Sequence, residues 1–321
     1  MKIKLLNRSR SIVAGVVATA AGLGIGAAQA QDFPSKDIEV IVPYSAGGGT
    51  DNFVRALEPS LEEALGTNII VRNVTGGGGA VGLMQALAAE PDGYTVTIPN
   101  NALYTLQGLG NVDFEYEDFD YIARITTEPY VLVVRNIEGW EDLESFVESA
   151  TTGSNQVKLG FAGVGSSSHI MTMAVADALG IEPSFVPYDG GSTAVAAAMG
   201  GHIDGVVLSP SDVVSAVEGD TLHTLATTGD SSLLPGTPTF ASAGYDLTAH
   251  QWRGIGTPAG LDESVKAVWV EALKEAVEDE SFQAAIQNLG SEVAPLYGEE
   301  LKAFVDEMAD LMIPLAEQVK Q

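Results

Sequence analysis

The chain has 321 residues, enough for about two domains, and its 45% apolar and 18% charged composition places it among globular proteins. Fifteen Lys and Arg against 43 Asp and Glu give a formal charge of −28, which excludes a nucleic-acid binder and disfavours docking on an anionic leaflet, since both need a basic face. The absence of cysteine excludes disulfides, iron–sulfur clusters, thiol catalysis and cysteine-ligated zinc.

Residues 1–30 carry Lys2, Lys4, Arg8 and Arg10 and no acid, followed by an apolar, small-residue stretch over 12–28 that ends in Ala28-Gln29-Ala30. This is the layout of a cleavable secretory signal peptide. The stretch is too weakly hydrophobic for a membrane anchor, and Arg8-Ser9-Arg10 is not a twin-arginine pair. Cleavage predicts a mature chain of 291 residues starting at Gln31, with a formal charge of −32. No later stretch is long and apolar enough to span a bilayer. The expected product is a soluble exported protein, periplasmic in a cell with two membranes and without direct membrane insertion after cleavage.

Strands are predicted at 38–42, 69–72, 95–99, 121–126, 130–134, 158–162, 184–187, 205–208 and 222–227. Between them lie helical periodicities. Phe53, Ala56, Leu57, Leu61, Ala64 and Leu65 share one face, with Gly66 as a stop and Pro59 expected to kink the helix or remove a hydrogen bond. The same spacing recurs in Val265, Val268, Trp269, Ala272, Leu273, Ala276 and Val277, and again in Leu301, Phe304, Val305, Met308, Leu311 and Met312. Roughly the last 60 residues are expected to be nearly all helical. Strand–helix alternation predicts an α/β fold with mostly parallel sheets. A domain boundary falls near 127–131, without a flexible linker, so the domains are expected to be joined by strands.

Three glycine-rich loops connect predicted strands to predicted helices. In Pro43-Tyr-Ser-Ala-Gly-Gly-Gly-Thr-Asp51 the glycines allow close backbone approach, and the free N–H groups of the helix start form an anion site needing no basic side chain. Ser45 and Thr50 add hydroxyl donors. In the second loop Gly77, Gly79 and Gly82 match G-x-G-x-x-G, but Asn100 and Asn101 stand where a ribose-binding acid should follow. A structural loop shaping a cleft wall is the better reading. The third, Gly163-Val-Gly-Ser-Ser-Ser-His-Ile170, places Ser166, Ser167 and Ser168 at a helix start, offering hydroxyls and N–H groups to a second anion. A hydrolase using Ser167 or Ser168 with His169 is disfavoured, because Ser168 and His169 are sequence neighbours and G-x-S-x-G is absent here. His169, His202, His223 and His250 have no metal-ligand spacing, and there is no Walker loop. No catalytic residue, metal or cofactor is expected. Facing one another, the first and third loops could hold two anionic groups of one small molecule.

The segment Val42-Pro-Tyr-Ser-Ala-Gly-Gly-Gly-Thr-Asp51 closely resembles the first loop of the tripartite tricarboxylate transporter substrate-binding proteins, the TctC-like or Bug receptors. The likeness continues in Val71-Arg-Asn-Val-Thr-Gly-Gly-Gly-Gly79, Pro91-Asp-Gly-Tyr-Thr95, Gly163-Val-Gly-Ser-Ser-Ser-His169 and Val186-Pro-Tyr-Asp-Gly-Gly191. It extends through Gly200-Gly-His-Ile-Asp204, Leu234-Pro-Gly-Thr-Pro-Thr239 and Gly256-Thr-Pro-Ala-Gly260, covering essentially the whole mature chain in order.

The resemblance implies a two-lobed, type II flytrap with mixed sheets flanked by helices. Lobe I would be 31–130 plus 249–321, and lobe II 131–248. One carboxylate would meet the stretch from Ser45 to Thr50 (Ser45, Ala46, Gly48, Gly49 and Thr50), largely through backbone and water, with Asp51 counted among the site residues beside it. A second would meet Gly165, Ser166, Ser167, Ser168 and His169. Tyr44, Asn100, Tyr188 and Asp189 would be cleft residues by position. Two departures stand out. Asn73-Val-Thr-Gly76 replaces the Asn-Arg-Pro-Gly of many members, and Asp189 replaces a frequent lysine. If Asp189 faces the pocket it repels an anion, though it could bind a ligand hydroxyl or amine. The implied function is non-enzymatic: a monomeric receptor for a di- or tricarboxylate such as citrate, delivering it to the membrane permease subunits of a tripartite transporter. Alternatives are a sensory receptor serving a membrane kinase, or a ligand that is an aromatic carboxylate or an amino acid.

Overall fold

The computed structural model describes residues 33–153 and 156–319; the signal-peptide assignment lies outside the described residues. The chain runs β1 (Ile38–Val42), α1 (Gly49–Leu65), β2 (Ile69–Asn73), α2 (Ala80–Leu87), β3 (Thr95–Thr97), α3 (Ala102–Leu109) and β4 (Phe119–Pro129). It then enters β5 (Val131–Arg135), α4 (Leu143–Thr152), β6 (Lys158–Phe161), α5 (Ser167–Leu179), β7 (Ser184–Pro187), α6 (Gly191–Met199), β8 (Gly205–Leu208), α7 (Pro210–Glu218) and β9 (Leu222–Thr227). It ends with β10 (His250–Pro258), α8 (Glu263–Glu278), α9 (Glu280–Asn288), β11 (Glu292–Leu296) and α10 (Gly298–Val319).

Two sheets result. One has the order β11-β4-β10-β3-β1-β2, the other β7-β6-β8-β5-β9. The pairs β1–β2, β1–β3, β6–β7 and β6–β8 are parallel. The pairs β10–β3, β10–β4, β11–β4, β5–β8 and β5–β9 are antiparallel. Both sheets are therefore mixed, as the resemblance implies, and not mostly parallel, as strand–helix alternation alone predicts. Alternation of strands and helices reports element order, whereas direction is decided by how the chain crosses between sheets. It leaves the first sheet at the end of β4, enters the second directly as β5, and returns as β10 against the grain of its neighbours.

Both crossings are tied together at one point. Tyr130, between β4 and β5, donates its N–H to Thr228 Oγ1 (2.8 Å), the Thr228 N–H donates to the Tyr130 carbonyl (2.8 Å), and Thr228 Oγ1 donates to the Ala249 carbonyl (2.6 Å).

The apolar periodicities pack as their spacing requires. Phe53, Leu57, Leu61 and Leu65 of α1 join Val40 and Ile38 of β1 and Trp269, Leu273 and Val277 of α8 in one buried cluster. Each large side chain so buried contributes about 1.5–3 kcal/mol. Trp269 satisfies its indole N–H on the Gly93 carbonyl at 3.1 Å. Helix α1 continues through Pro59, which lies on its exposed face, and stops at Gly66 in the left-handed region (φ 67°).

Two strands, β10 and β11, have no counterpart among those predicted. β11 interrupts the expected helical C-terminal region as an edge strand carrying Pro295, where a missing N–H is tolerated. β10 is buried almost throughout, yet it reads His-Gln-Trp-Arg-Gly-Ile-Gly-Thr-Pro. Neither alternation nor an apolar run announces it, because Gln251 and Arg253 are spent on the cleft described next.

Candidate functional site

Four helices begin around one small cavity between the two sheets. α1 supplies Gly48, Gly49 and Thr50, α5 supplies Ser166, Ser167 and Ser168, α6 supplies Gly191, and α7 supplies Ser209 and Asp212. Tyr44, Tyr130, Ala162, Leu208 and Gln251 complete the wall. Each helix start exposes backbone N–H groups at the positive end of its dipole, so the wall favours negative charge without presenting a lysine.

The first loop is held from behind. Asp51 is buried and accepts from the Gly47 N–H (2.8 Å) and from Asn73 Nδ2 (3.0 Å), which also donates to the Tyr44 carbonyl (3.0 Å). Asp51 fastens the loop and does not line the cavity. Ser45 and Ala46 sit at the rim. Ser45 Oγ lies 2.9 Å from Ser192 Oγ, and that hydroxyl donates to the Ala46 carbonyl at 3.0 Å. Tyr44 is buried, its phenol pushed up to about 12 mainly by that burial, with a hydrogen bond to Asn100 pulling the other way. Asn100 itself lies behind the wall, its Oδ1 accepting from the Ala102 N–H (2.8 Å).

The serine loop is ordered by its own hydroxyls. Ser166 caps α5 by accepting from the His169 N–H (3.1 Å), and its Oγ lies 2.9 Å from Ser168 Oγ, which accepts from the Ala162 N–H at 2.9 Å. Ser167 Oγ and the Tyr130 hydroxyl both donate to Gln251 Oε1, at 2.8 and 2.7 Å. Gly165 and His169 stand outside the wall. The Gly165 N–H donates to His169 Nδ1 (3.3 Å) and its carbonyl accepts from Thr105 Oγ1 (2.6 Å). The His169 ring stacks on Phe161 at 4.4 Å, and burial lowers its basicity, so it is a neutral packing residue. Tyr188 and Asp189 line a separate groove with the second glycine loop, Gly163 and Val164.

Three ionisable groups near the cavity have no precedent in the sequence reading. Arg253 and Glu128, 1% and 2% exposed, are ion-paired through Nη1 and Oε1. Arg253 reaches the wall by donating to Thr50 Oγ1 at 3.3 Å and to the Ser209 and Ser211 hydroxyls at 3.4 Å each. Burial lowers its pKa to about 10, which leaves it charged at neutral pH. Glu128 also accepts from the Ser211 and Ser291 hydroxyls, at 3.1 and 2.9 Å. The third group, Asp212, crosses from the second sheet's side and accepts the Gly49 N–H at 2.6 Å. Its side chain is enclosed by protein, although the residue keeps some exposed surface. Desolvation raises its pKa from 3.8 to about 6, outweighing the opposing hydrogen bonds from Gly49 and Ser209. No signal in the sequence singled these residues out. Their partners are distant in the chain, and Asp212 reads as an ordinary first-turn helix acid.

The shift of Asp212 has a measurable consequence. A carboxyl whose pKa is raised on folding binds its proton more tightly in the native state, so its stabilising contribution is present below about pH 4 and is lost as pH rises to about 6. Asp212→Asn removes the ionisation. Urea unfolding should find the variant more stable than the parent at pH 7.5, by roughly 2–3 kcal/mol at most, and nearly equal at pH 4. An equal difference at both pH values would contradict the assignment.

The pattern of the tripartite tricarboxylate transporter family receptor matches residues 53–319. Among curated relatives, a UPF0065 protein from the TAR-I ttuE-ttuC' intergenic region of Agrobacterium vitis is 29% identical over 270 residues, covering 82% of this chain and 78% of that protein. The solved periplasmic binding protein BugD superposes with a TM-score of 0.85 at 26% identity, covering 89% of this chain and 98% of BugD. MatC of Rhodopseudomonas palustris, solved with bound malate, shares the fold at a TM-score of 0.82 and 23% identity, covering 89% of this chain and all of that one. Among the described residues no helix is long and apolar enough to cross a membrane.

Proposed function

This chain belongs to the tripartite tricarboxylate transporter family of receptors, and from that premise we propose that it is a periplasmic, non-enzymatic solute receptor. It captures a small organic carboxylate between two lobes and hands it to the membrane permease subunits of a tripartite transporter. The observation that carries this reading is the convergence of four helix starts on one cavity, with Ser167 and Tyr130 hydrogen-bonded to Gln251 in its wall. Fixed dipoles of this kind hold a carboxylate without a basic side chain.

We place the lobes at 31–130 plus 249–321 and at 131–248, supported by the crossings at Tyr130 and Thr228, where the strands change sheet. The cavity measures about 30 Å3, enough for roughly two water molecules. A small organic acid enters only when the lobes part, and their closure over it is the state a permease would read. Of the residues expected from the sequence, we propose that Tyr44, Gly48, Gly49, Thr50, Ser166, Ser167 and Ser168 meet the ligand, joined by Tyr130, Gly191, Ser209, Asp212 and Gln251.

Calorimetry of residues 31–321 against a panel of organic acids tests the function. At least one acid should bind saturably. Ser167→Ala and Gln251→Ala should each weaken it about tenfold or more, as expected for losing a hydrogen bond to a charged group. Failure of every acid to bind to folded protein would refute the reading.

A further inference from the structure

We infer that Asp212 selects the ligand class, so that this receptor takes a zwitterion, one carboxylate with a protonated amine, in preference to a dicarboxylate; the inference rests on the receptor function proposed above. The start of α1 is the position at which a ligand carboxylate was expected. In the structure a carboxylate is already there, and it belongs to the protein: Asp212 Oδ1 accepts the Gly49 N–H at 2.6 Å.

The surroundings are shaped to admit that side chain. A methyl group on Gly191 would collide with the Asp212 carboxylate, and one on Gly49 would meet the Ser211 hydroxyl and Arg253 Nη2 (2.8 Å) before the Asp212 Cγ (3.2 Å). Asp212 is thereby lodged between the starts of α1 and α6 while still lining the cavity. The carboxylate subsite left free is the start of α5, with Ser166, Ser167, Ser168 and the Gln251–Tyr130 pair.

Charge bookkeeping points the same way. Glu128 and Arg253 cancel as a buried pair. Tyr44 and Tyr130 are held protonated by burial. Asp212 is thus the remaining charge in the wall: among the described residues no cation lies within salt-bridge distance of it, and the Arg253 guanidinium that reaches toward the same Gly49 position is already paired with Glu128. A diacid would set a second anion beside an enclosed carboxylate, and like charges at such separations destabilise each other strongly. A protonated amine brings the opposite charge. It also brings N–H donors to a carboxylate that has about four acceptor sites, of which Gly49 and Ser209 use only part.

The test is calorimetry at pH 7.5 on residues 31–321, parent and Asp212→Asn, each confirmed folded by its melting transition. Ligands are the common amino acids, 4-aminobutyrate, succinate, glutarate and citrate. For the parent, an amino acid should bind at least tenfold tighter than the diacid of similar length. In Asp212→Asn that preference should fall tenfold or more, chiefly through tighter diacid binding. A parent that prefers a diacid, with the same preference in Asp212→Asn, overturns the inference while leaving the receptor function standing. Failure of both classes to bind either protein removes the receptor function and the inference with it.

Discussion

Glu128→Ala is expected to destabilise the protein by about 3–5 kcal/mol, because it strands the Arg253 guanidinium in the interior. Both side chains are all but inaccessible to water, and Glu128 is further enclosed by the Ser211 and Ser291 hydroxyls. A charge in such a place survives only with its partner. For a chain of this size the loss corresponds to a melting temperature lower by roughly 6–20 °C. Replacing both partners by apolar residues, as in Glu128→Leu with Arg253→Met, removes the uncompensated charge and should recover much of that loss. The double variant should still bind its ligand poorly, since Arg253 no longer steadies Thr50, Ser209 and Ser211. A single variant that melts within about 2 °C of the parent, under 1 kcal/mol on the same scale, would mean the pair does not carry this role. Glu128 lies at the end of β4 and Arg253 in β10, the strands that lead into and out of the second sheet, so the pair sits where the chain crosses between the sheets.

Gly78→Ala and Gly163→Ala should each weaken ligand binding about ten- to a hundredfold, which is roughly 1.4–2.8 kcal/mol. The second glycine loop has four consecutive residues, Gly76 to Gly79, with positive φ, and Gly163 has φ 100°. There the two sides meet backbone to backbone. A methyl group on Gly78 would lie 2.7 Å from the Ser166 nitrogen, and one on Gly163 would lie 2.7 Å from the Gly78 Cα. Neither can be accommodated without holding the lobes apart, and open lobes bind weakly if closure supplies the affinity. Gly66→Ala is the control. It carries the same left-handed strain at φ 67° with open space around it, so it should cost about 1–2 kcal/mol of stability and leave the affinity unchanged. Equal affinities for the three variants would show that the glycine contact does not govern closure. The close approach thus falls on Gly78, which stands between the motif glycines Gly77 and Gly79, while Gly79 and Gly82 pack against Tyr44 and Pro43 of the first loop.

Much of this molecule was legible along the chain. β1, β8 and β9 follow from short apolar runs rich in β-branched residues, and the apolar faces of α1 and α8 from local periodicity, since burial on one side of a helix imposes a period on the residues that provide it. The loops at Gly48 and Ser166 were legible for a related reason: helix starts need glycines and hydroxyls, and those same groups line the cavity. Asp51, Asn100 and His169 carried the same appearance and were turned to holding the loops in place, a distinction that depends on which way a side chain points.

What the sequence determined by itself was therefore the local alternation of elements and the chemistry of the helix starts, because both arise between residues a few positions apart. The tertiary structure alone decided strand direction, the strand β10, the pairing of Glu128 with Arg253, and the placement of the Asp212 carboxylate on Gly49. Each of those joins groups distant along the chain, whose energies exist only once it has folded back on itself and excluded the water around them.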